Sequence, residues 1–506
     1  MGIIKRQGLK GTFVSYIGLG IGYLNLILLY PLCLKPEQIG LITQLQHTGV
    51  LFAVICQLGM VNVAVRYFPH FKNEEKAHHG LLFWVILVPT LGFLLFVALY
   101  LGFPNLFLNY FREQAPLLVE QAIWLIPVAG FMMYSTLLEH WASLYHRITV
   151  PRIIRELVLK LLASACIGLY FFGWISFPLF LGLFALSYGA NVILLVIYLV
   201  QIGAWKWSID LSFPTSALVK NMAWYSVFII IGGLGSGIVT KIDGIMITAE
   251  IGLAAAATYN IALSMATVIE IPMRALQQIS MPIVSQLISE KKFSDLEILY
   301  RKASITQLAA GVLLFGGIWI NTDLLFRLMP NGELYAGGKM VIFWIGMSKL
   351  LDMTTSLNSV IVNHSPYYRF SLVTMLLLAG MAILTNLWLI PILGVEGAAL
   401  AALLSLGVYN VLMVGFVWLK YKIQPITTGI PKVLIFGAIA LGANSLLPEL
   451  EIWILELILR SLVFTILFGS LVLIFKISPD INQAIFSIPS WINERIHGVR
   501  LRDTEK

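Results

Sequence analysis

Apolar runs of about twenty residues follow one another along the whole chain, separated by short polar turns. A helix needs about 20 mostly apolar residues to cross the hydrocarbon core of a bilayer. On that template the sequence predicts fourteen spans, at approximately 11–34, 39–65, 81–102, 117–143, 152–173, 176–202, 217–240, 252–276, 303–325, 338–362, 368–391, 395–419, 431–447 and 452–475. No connection between them is long enough to form a soluble domain. The tail from 476 to 506, with Trp491 and Arg495, is expected to lie along the membrane surface as an amphipathic segment.

A weak internal repeat divides the runs. Ile39-Gly40-Leu41 opens the second span after a polar turn, and Ile251-Gly252-Leu253 opens the eighth in the same way, 212 positions later. Both spans end in polar residues followed by proline, Arg66 before Pro69 in one and Arg274 and Gln278 before Pro282 in the other. The expected fold is therefore an all-α polytopic membrane protein with two pseudo-symmetric six-helix lobes, 1–210 and 211–422, two further helices in 423–476 and a tail at 477–506. Parallel repeats of this kind are a transporter signature, with the substrate site at the interface of the halves.

Composition agrees with the pattern. Of 506 residues, 59% are hydrophobic and 11% charged, and the mean hydropathy is +0.89, where a soluble domain carries about 25% charged residues. The net charge of +8 sits in short loops between apolar runs rather than on one solvated surface, which argues against a nucleic-acid partner. With the N-terminus inside, 24 of the 33 Lys and Arg residues fall in cytoplasmic loops or termini, five outside and four within spans. Cytoplasmic loops hold the excess of such residues, so both termini are expected in the cytoplasm. Lys5, Arg6 and Lys10 precede a run too long for a signal-peptide core, so Gly11–Leu34 is expected to remain as the first span. Cys33, Cys56 and Cys166 are scattered and form neither a disulfide framework nor a metal site.

Ionisable residues inside spans are costly and mark functional candidates. On the eighth span Asn260, Ser264, Thr267, Arg274 and Gln278 recur on one helical face, with Glu270 at its edge. Glu270 and Arg274 read equally well as a helical clasp at i,i+4 and as the lining of a cavity. The tenth span repeats the theme with Ser348, Asp352, Thr355, Ser359 and Asn363, and Lys349 at the border. A salt-bridged Lys349–Asp352 pair is the structural alternative to a cavity role. Lys160 lies about 12 Å into the fifth span at ~1.5 Å per residue, with Glu156 the acid nearest in sequence; it either snorkels or lines a cavity. Glu139 and His140 near the end of the fourth span are explained by the interface, with a proton relay as the minority reading. His47 and Gln44 suit helix packing, and Lys241 and Asp243 suit structural anchoring. His78 and His79 lie in a solvated loop with no third metal ligand near.

No catalytic constellation emerges, and no cofactor or metal is implied. The chain carries neither GxxxxGK[ST] nor HExxH. The glycine-rich run IIGGLGSG at 230–237 falls inside the seventh span, where small residues serve close helix packing.

Several stretches point to a family. Lys241-x-Asp243 at the end of span seven, the x-Gly-Leu start and Tyr259 of span eight, Pro282, the segment QLGMVNVAVRYFPHF at 57–71 and the turn LIPILGVEGAALAALLS at 389–405 together resemble the polysaccharide-exporter branch of the multidrug/oligosaccharidyl-lipid/polysaccharide (MATE-like) superfamily. The resemblance implies an O-antigen-type flippase of the bacterial inner membrane that moves an undecaprenyl-pyrophosphate-linked sugar unit outward by alternating access. Its expected partners are that lipid-linked oligosaccharide, membrane lipids, and polymerase or assembly proteins. A dianionic headgroup needs cations in a low-dielectric cavity, and Arg274, Lys349, Lys160 and Arg66 are the candidates, with Glu270, Asp352 and Glu139 as coupling or pairing groups. The competing readings are a cation-coupled drug exporter of the same superfamily and a non-transporting scaffold. Such exporters carry a carboxylate in the first helix, whereas residues 11–65 hold only Glu37, in a turn.

Overall fold

The computed structural model describes residues 14–210, 213, 215–478 and 481–483; Lys5, Arg6, Lys10 and the tail with Trp491 and Arg495 lie outside the described residues. Apolar side chains and the need to satisfy every backbone group without water leave helix as the available solution for single segments. The helices are α1 (Val14–Cys33), α2 (Pro36–Phe71), α3 (Ala77–Gly102), α4 (Ala122–Leu144), α5 (149–171), α6 (Phe177–Gln201), α7 (Ser216–Glu250), α8 (Leu253–Ser289), α9 (Phe293–Ile320), α10 (339–363), α11 (Tyr368–Leu393), α12 (Val395–Tyr421), α13 (Gly429–Asn444) and α14 (Trp453–Ile474). No strand occurs among the described residues.

Eleven of these helices are long and apolar enough to cross a membrane. The remaining three occupy the other expected spans. Helix α5 carries Arg152, Arg155, Glu156 and Lys160, α10 is interrupted after Thr355, and α13 has 16 residues. The protein is a multi-pass, all-helical membrane protein.

The chain divides into two compact units. The first comprises the described residues of Met1–Ile261, Leu328–Gly338 and Leu378–Ala401. In it α2 packs on α4 and α7, and α4 and α5 pack on α6. Fully buried Ile39, Leu41, Ile42 and Leu45 of α2, Trp141 of α4 and Phe180 and Phe184 of α6 form its core. The glycine-rich run of α7 packs closely, as its composition suggests. Gly237 leaves room for Leu51 and Gly233 for Val54, both on α2. The two x-Gly-Leu motifs meet: Gly40 lies against the backbone carbonyl of Leu253, where a Cβ would collide.

Helix α2 is not continuous. Leu58 and Gly59 take left-handed conformations (φ 46° and 70°) between Pro36–Cys56 and Met60–Phe71. The Ser226 hydroxyl of α7 donates to the Leu58 carbonyl, an acceptor that the break would otherwise strand. A Cβ on Gly59 would meet the Ser226 carbonyl and hydroxyl oxygens at 3.0 Å.

The second unit comprises the described residues of Ala262–Arg327, Lys339–Leu377 and Ala402–Lys506. Helix α9 is its hub, packed on α10, α13 and α14. Leu308, Val312 and Phe315 of α9 meet Met353 of α10 and Phe464 and Phe468 of α14. The Phe464 ring occupies the place that a Cβ on Gly316 would take, and Phe315 does the same at Gly346.

Candidate functional site

Two interrupted helices build the site in the second unit. In α8 the residues Val268–Glu270 form a 3-10 turn, after which Ile271–Ser289 restarts with a proline in its first turn. Pro272 has no N–H to give to the carbonyl four residues back; that group, on Val268, accepts instead from the Ile271 amide. Three residues at 3.0 rather than 3.6 per turn advance the helix phase by about 60°. The single polar stripe expected along α8 is therefore broken at Glu270. In α10 the chain breaks at Ser356 (φ 51°), and Gln277 of α8 donates to the Ser356 carbonyl at 3.1 Å.

Glu270 is 6% exposed. Its carboxylate accepts from Arg274 Nε at 2.6 Å and contacts the Arg274 guanidinium through the same oxygen. Its second oxygen, Oε2, meets Lys349 Nζ. One buried anion thus holds two cations, one from its own helix and one from α10. Arg274 keeps 70% of its side chain exposed, whereas Lys349 keeps 22%. A guanidinium offers five N–H donors in a fixed fork. Two of its nitrogens face Glu270, and the exposed remainder can face a ligand.

One helical turn beyond Lys349, Asp352 accepts from Asn410 Nδ2 of α12 at 3.2 Å. The Asn410 carbonyl oxygen accepts in turn from Thr355 Oγ1 at 2.8 Å and from Asn358 Nδ2 at 2.9 Å. Asn410 therefore ties both sides of the α10 break to α12. The salt bridge weighed for Lys349 and Asp352 is replaced by Lys349–Glu270, because the break and the approach of α8 bring a closer acid. Asn410 escaped sequence reasoning, although a lone amide in the apolar run 395–421 was a visible signal.

The other candidates lie in the first unit. Lys160 donates to Glu156 Oε2 at 3.0 Å and to the Gly18 carbonyl of α1 at 2.7 Å. Glu156 also meets Arg155 at 3.2 Å, and Arg155 meets Glu139 at 2.7 Å. Glu139, Arg155, Glu156 and Lys160 form one chain of alternating sign beside a π-helical turn, Ile154–Val158. Lys160 is thus committed to protein partners. Arg66 is exposed and stands 4.3 Å from the Tyr225 ring centroid, a cation–π contact between α2 and α7. Asp243 accepts from the Tyr259 hydroxyl at 2.8 Å and from Asn386 Nδ2 at 2.7 Å, joining α7, α8 and α11. Gln44 accepts from Thr248 at 3.1 Å, in keeping with its helix-packing role. No group of three His, Cys, Asp or Glu residues arranged for a metal occurs among the described residues.

Comparison with solved structures gives the fold. The lipid II flippase MurJ in an inward-closed conformation superposes with a TM-score of 0.72 over 91% of this chain and 98% of its own, at 14% identity. An inward-facing multidrug resistance MATE family transporter of the MOP superfamily gives 0.58 over 81% and 94%, at 12% identity. A point mutant of the Vibrio cholerae MATE transporter VcmN gives 0.53 over 83% and 98%, at 14% identity. A comparison with curated proteins finds no match. The family model described as "Polysaccharide biosynthesis protein" matches residues 9–288. With more than half of its length under that model and a helical scaffold shared with MOP superfamily transporters, the chain belongs to the polysaccharide biosynthesis protein family.

Proposed function

We propose that the protein is a flippase that carries an undecaprenyl-pyrophosphate-linked oligosaccharide from the cytoplasmic to the external leaflet, by alternating access, for O-antigen or capsule assembly. The observation that carries the reading is the exposed Arg274 guanidinium, anchored by a buried carboxylate that also holds Lys349. A diphosphate is best met by fixed cations whose own desolvation is already offset by a protein anion. Arg274 is the headgroup contact in this reading, Lys349 adds charge behind it, and Arg66 stands at the cytoplasmic end of α2. The paired Lys160 and Glu139 serve structure or coupling. The family match and a fold shared with a lipid II flippase support the substrate class.

In the same reading the protein lies in the bacterial cytoplasmic membrane with both termini inside, carries out no covalent chemistry, and consists of the lobes 1–210 and 211–422 followed by two helices and a tail. A cation-coupled exporter fits less well, because α1 supplies no carboxylate: Glu37 is the only acid of residues 11–65 and lies in the first turn of α2. The test is deletion of the gene in a strain without a second flippase. Surface glycan should be lost while lipid-linked units accumulate on the cytoplasmic leaflet; intact surface glycan would refute the assignment.

A further inference from the structure

Beside the break in α2 lies an apolar cavity of about 390 Å³, wholly within the first unit. Val63 and Phe71 of α2, Trp84 of α3, and Met222, Ala223 and Val227 of α7 contribute to its wall. Its volume falls in the range of about 300–1,000 Å³ that holds small ligands. The hydroxyl of Ser226, which also lines it, is spent on the Leu58 carbonyl, so the wall is suited to hydrocarbon.

A second apolar cavity, of about 310 Å³, lies along the same two helices on the other side of the break. Leu45, Leu51 and Ile55 of α2 face Leu234, Ile238 and Ile242 of α7 there. The lining positions of α2 run from Leu45 to Phe71 across the break, and the helical pieces 45–56 and 60–71 contribute about 16 Å each at ~1.5 Å per residue. Together they are comparable with the whole ~30 Å hydrocarbon core. An acyl chain of an ordinary phospholipid ends near the bilayer middle and fills one cavity; a chain that fills both is longer than one leaflet.

A cation flanks the first cavity. Arg66 lies in sequence between the lining positions Val63 and Phe71, and its guanidinium sits over Tyr225, between the lining positions Met222 and Ser226. Among the described residues no acid pairs with Arg66. A cation beside a long apolar slot fits an amphiphile with an anionic head and one extended chain.

We propose that the seam of α2, α3 and α7 binds the polyprenyl chain of a prenyl-diphosphate lipid, with Arg66 at its phosphate end. The proposal rests on the flippase reading and deepens it by giving the chain, rather than the sugar, a site of its own.

The test uses full-length protein in phosphatidylethanolamine/phosphatidylglycerol vesicles and a polyprenyl diphosphate with a diazirine on its chain. Labelling should fall within residues 44–71, 84–125 and 219–245, which line the two cavities. Unlabelled polyprenyl diphosphate should compete and phosphatidylglycerol should not. Ala223→Trp, at an exposed position, should abolish the labelling, and Arg66→Gln should weaken binding about tenfold, as the loss of one charged contact does. A folding-independent check is Val227→Cys, whose maleimide modification should slow when the lipid is present. Label outside those segments, equal competition by phosphatidylglycerol, or no label at all would overturn the proposal. So would normal translocation by Ala223→Trp, which would leave the flippase reading standing. Saturable labelling of the seam by a protein that translocates nothing would instead remove the flippase reading and leave the site.

Discussion

Lys349 on α10 reaches the same carboxylate, Glu270, that Arg274 grips from one turn along α8. The two cations are held near one another by an anion that is itself buried, so each depends on Glu270 for its position. Neutralising Glu270 leaves two like charges without their common partner, and breaking a buried pair costs about 3–5 kcal/mol.

Glu270→Gln is expected to lower the melting temperature in detergent and to abolish export. Adding Lys349→Gln should recover much of the melting temperature, because one unpaired charge is removed, but export should stay absent. Thermal unfolding and complementation of a deletion strain separate the two effects. A double variant that regains export would mean that the cluster is only a clasp.

Arg274 and Lys160 should behave in opposite ways. Arg274 is 70% exposed, and exposed ion pairs contribute about 0–1 kcal/mol, so Arg274→Gln should fold normally yet lose affinity for a lipid-linked diphosphate. Lys160 donates to Glu156 and to the Gly18 carbonyl. Lys160→Gln should therefore lower the melting temperature and leave the dissociation constant nearly unchanged. Binding titrations on both purified variants decide it.

Most helix positions could be read from the sequence because length and apolarity alone determine them. Helix α5 shows the strength of that reading: Arg152, Arg155, Glu156 and Lys160 lower its hydropathy, yet the apolar run on either side still marks a helix. The interruptions could not be read in the same way. Leu58 turns left-handed where Ser226 supplies a donor, and Ser356 turns left-handed where Gln277 does. Those donors lie 168 and 79 residues away, beyond any local pattern. The site was half legible for the same reason. The i,i+4 spacing of Glu270 and Arg274 announced their pairing, but Lys349 and Asn410 joined it only through tertiary packing.

Asn410 is a test of the α10 break. Asn410→Leu leaves Asp352, Thr355 and Asn358 short of a partner, and each buried unsatisfied polar group costs about 1–3 kcal/mol. The variant should unfold at a clearly lower temperature, whereas Asn410→Gln should recover part of the loss. An unchanged melting temperature for Asn410→Leu would show that Asn410 does not hold the break.

Gly316→Ala should destabilise the second unit by about 1–3 kcal/mol, the usual cost of overpacking, because Phe464 fills the space its methyl would need. Phe464→Leu in the same chain should restore part of the loss. The paired melting temperatures test this contact directly.

Orientation can be checked with single cysteines after Cys33, Cys56 and Cys166 are replaced. His146→Cys and Glu333→Cys lie at exposed positions in loops of expected opposite sides. A membrane-impermeant maleimide added to intact cells should modify Glu333→Cys and spare His146→Cys; the reverse pattern would invert the topology.

Ser226 donates its one hydroxyl proton to the Leu58 carbonyl and so joins α7 to α2 at the break, well away from the Gln44–Thr248 bond that joins the same two helices farther along. A helix ladder spreads its polar contacts over many residues and yields only by unwinding, but this tether is one hydroxyl and can be exchanged for another donor in a single step. A displacement of α7 along α2 that parts Ser226 from Leu58 leaves that carbonyl without its donor. The carbonyl must then find another donor or remain bare in hydrocarbon, at a cost of several kcal/mol.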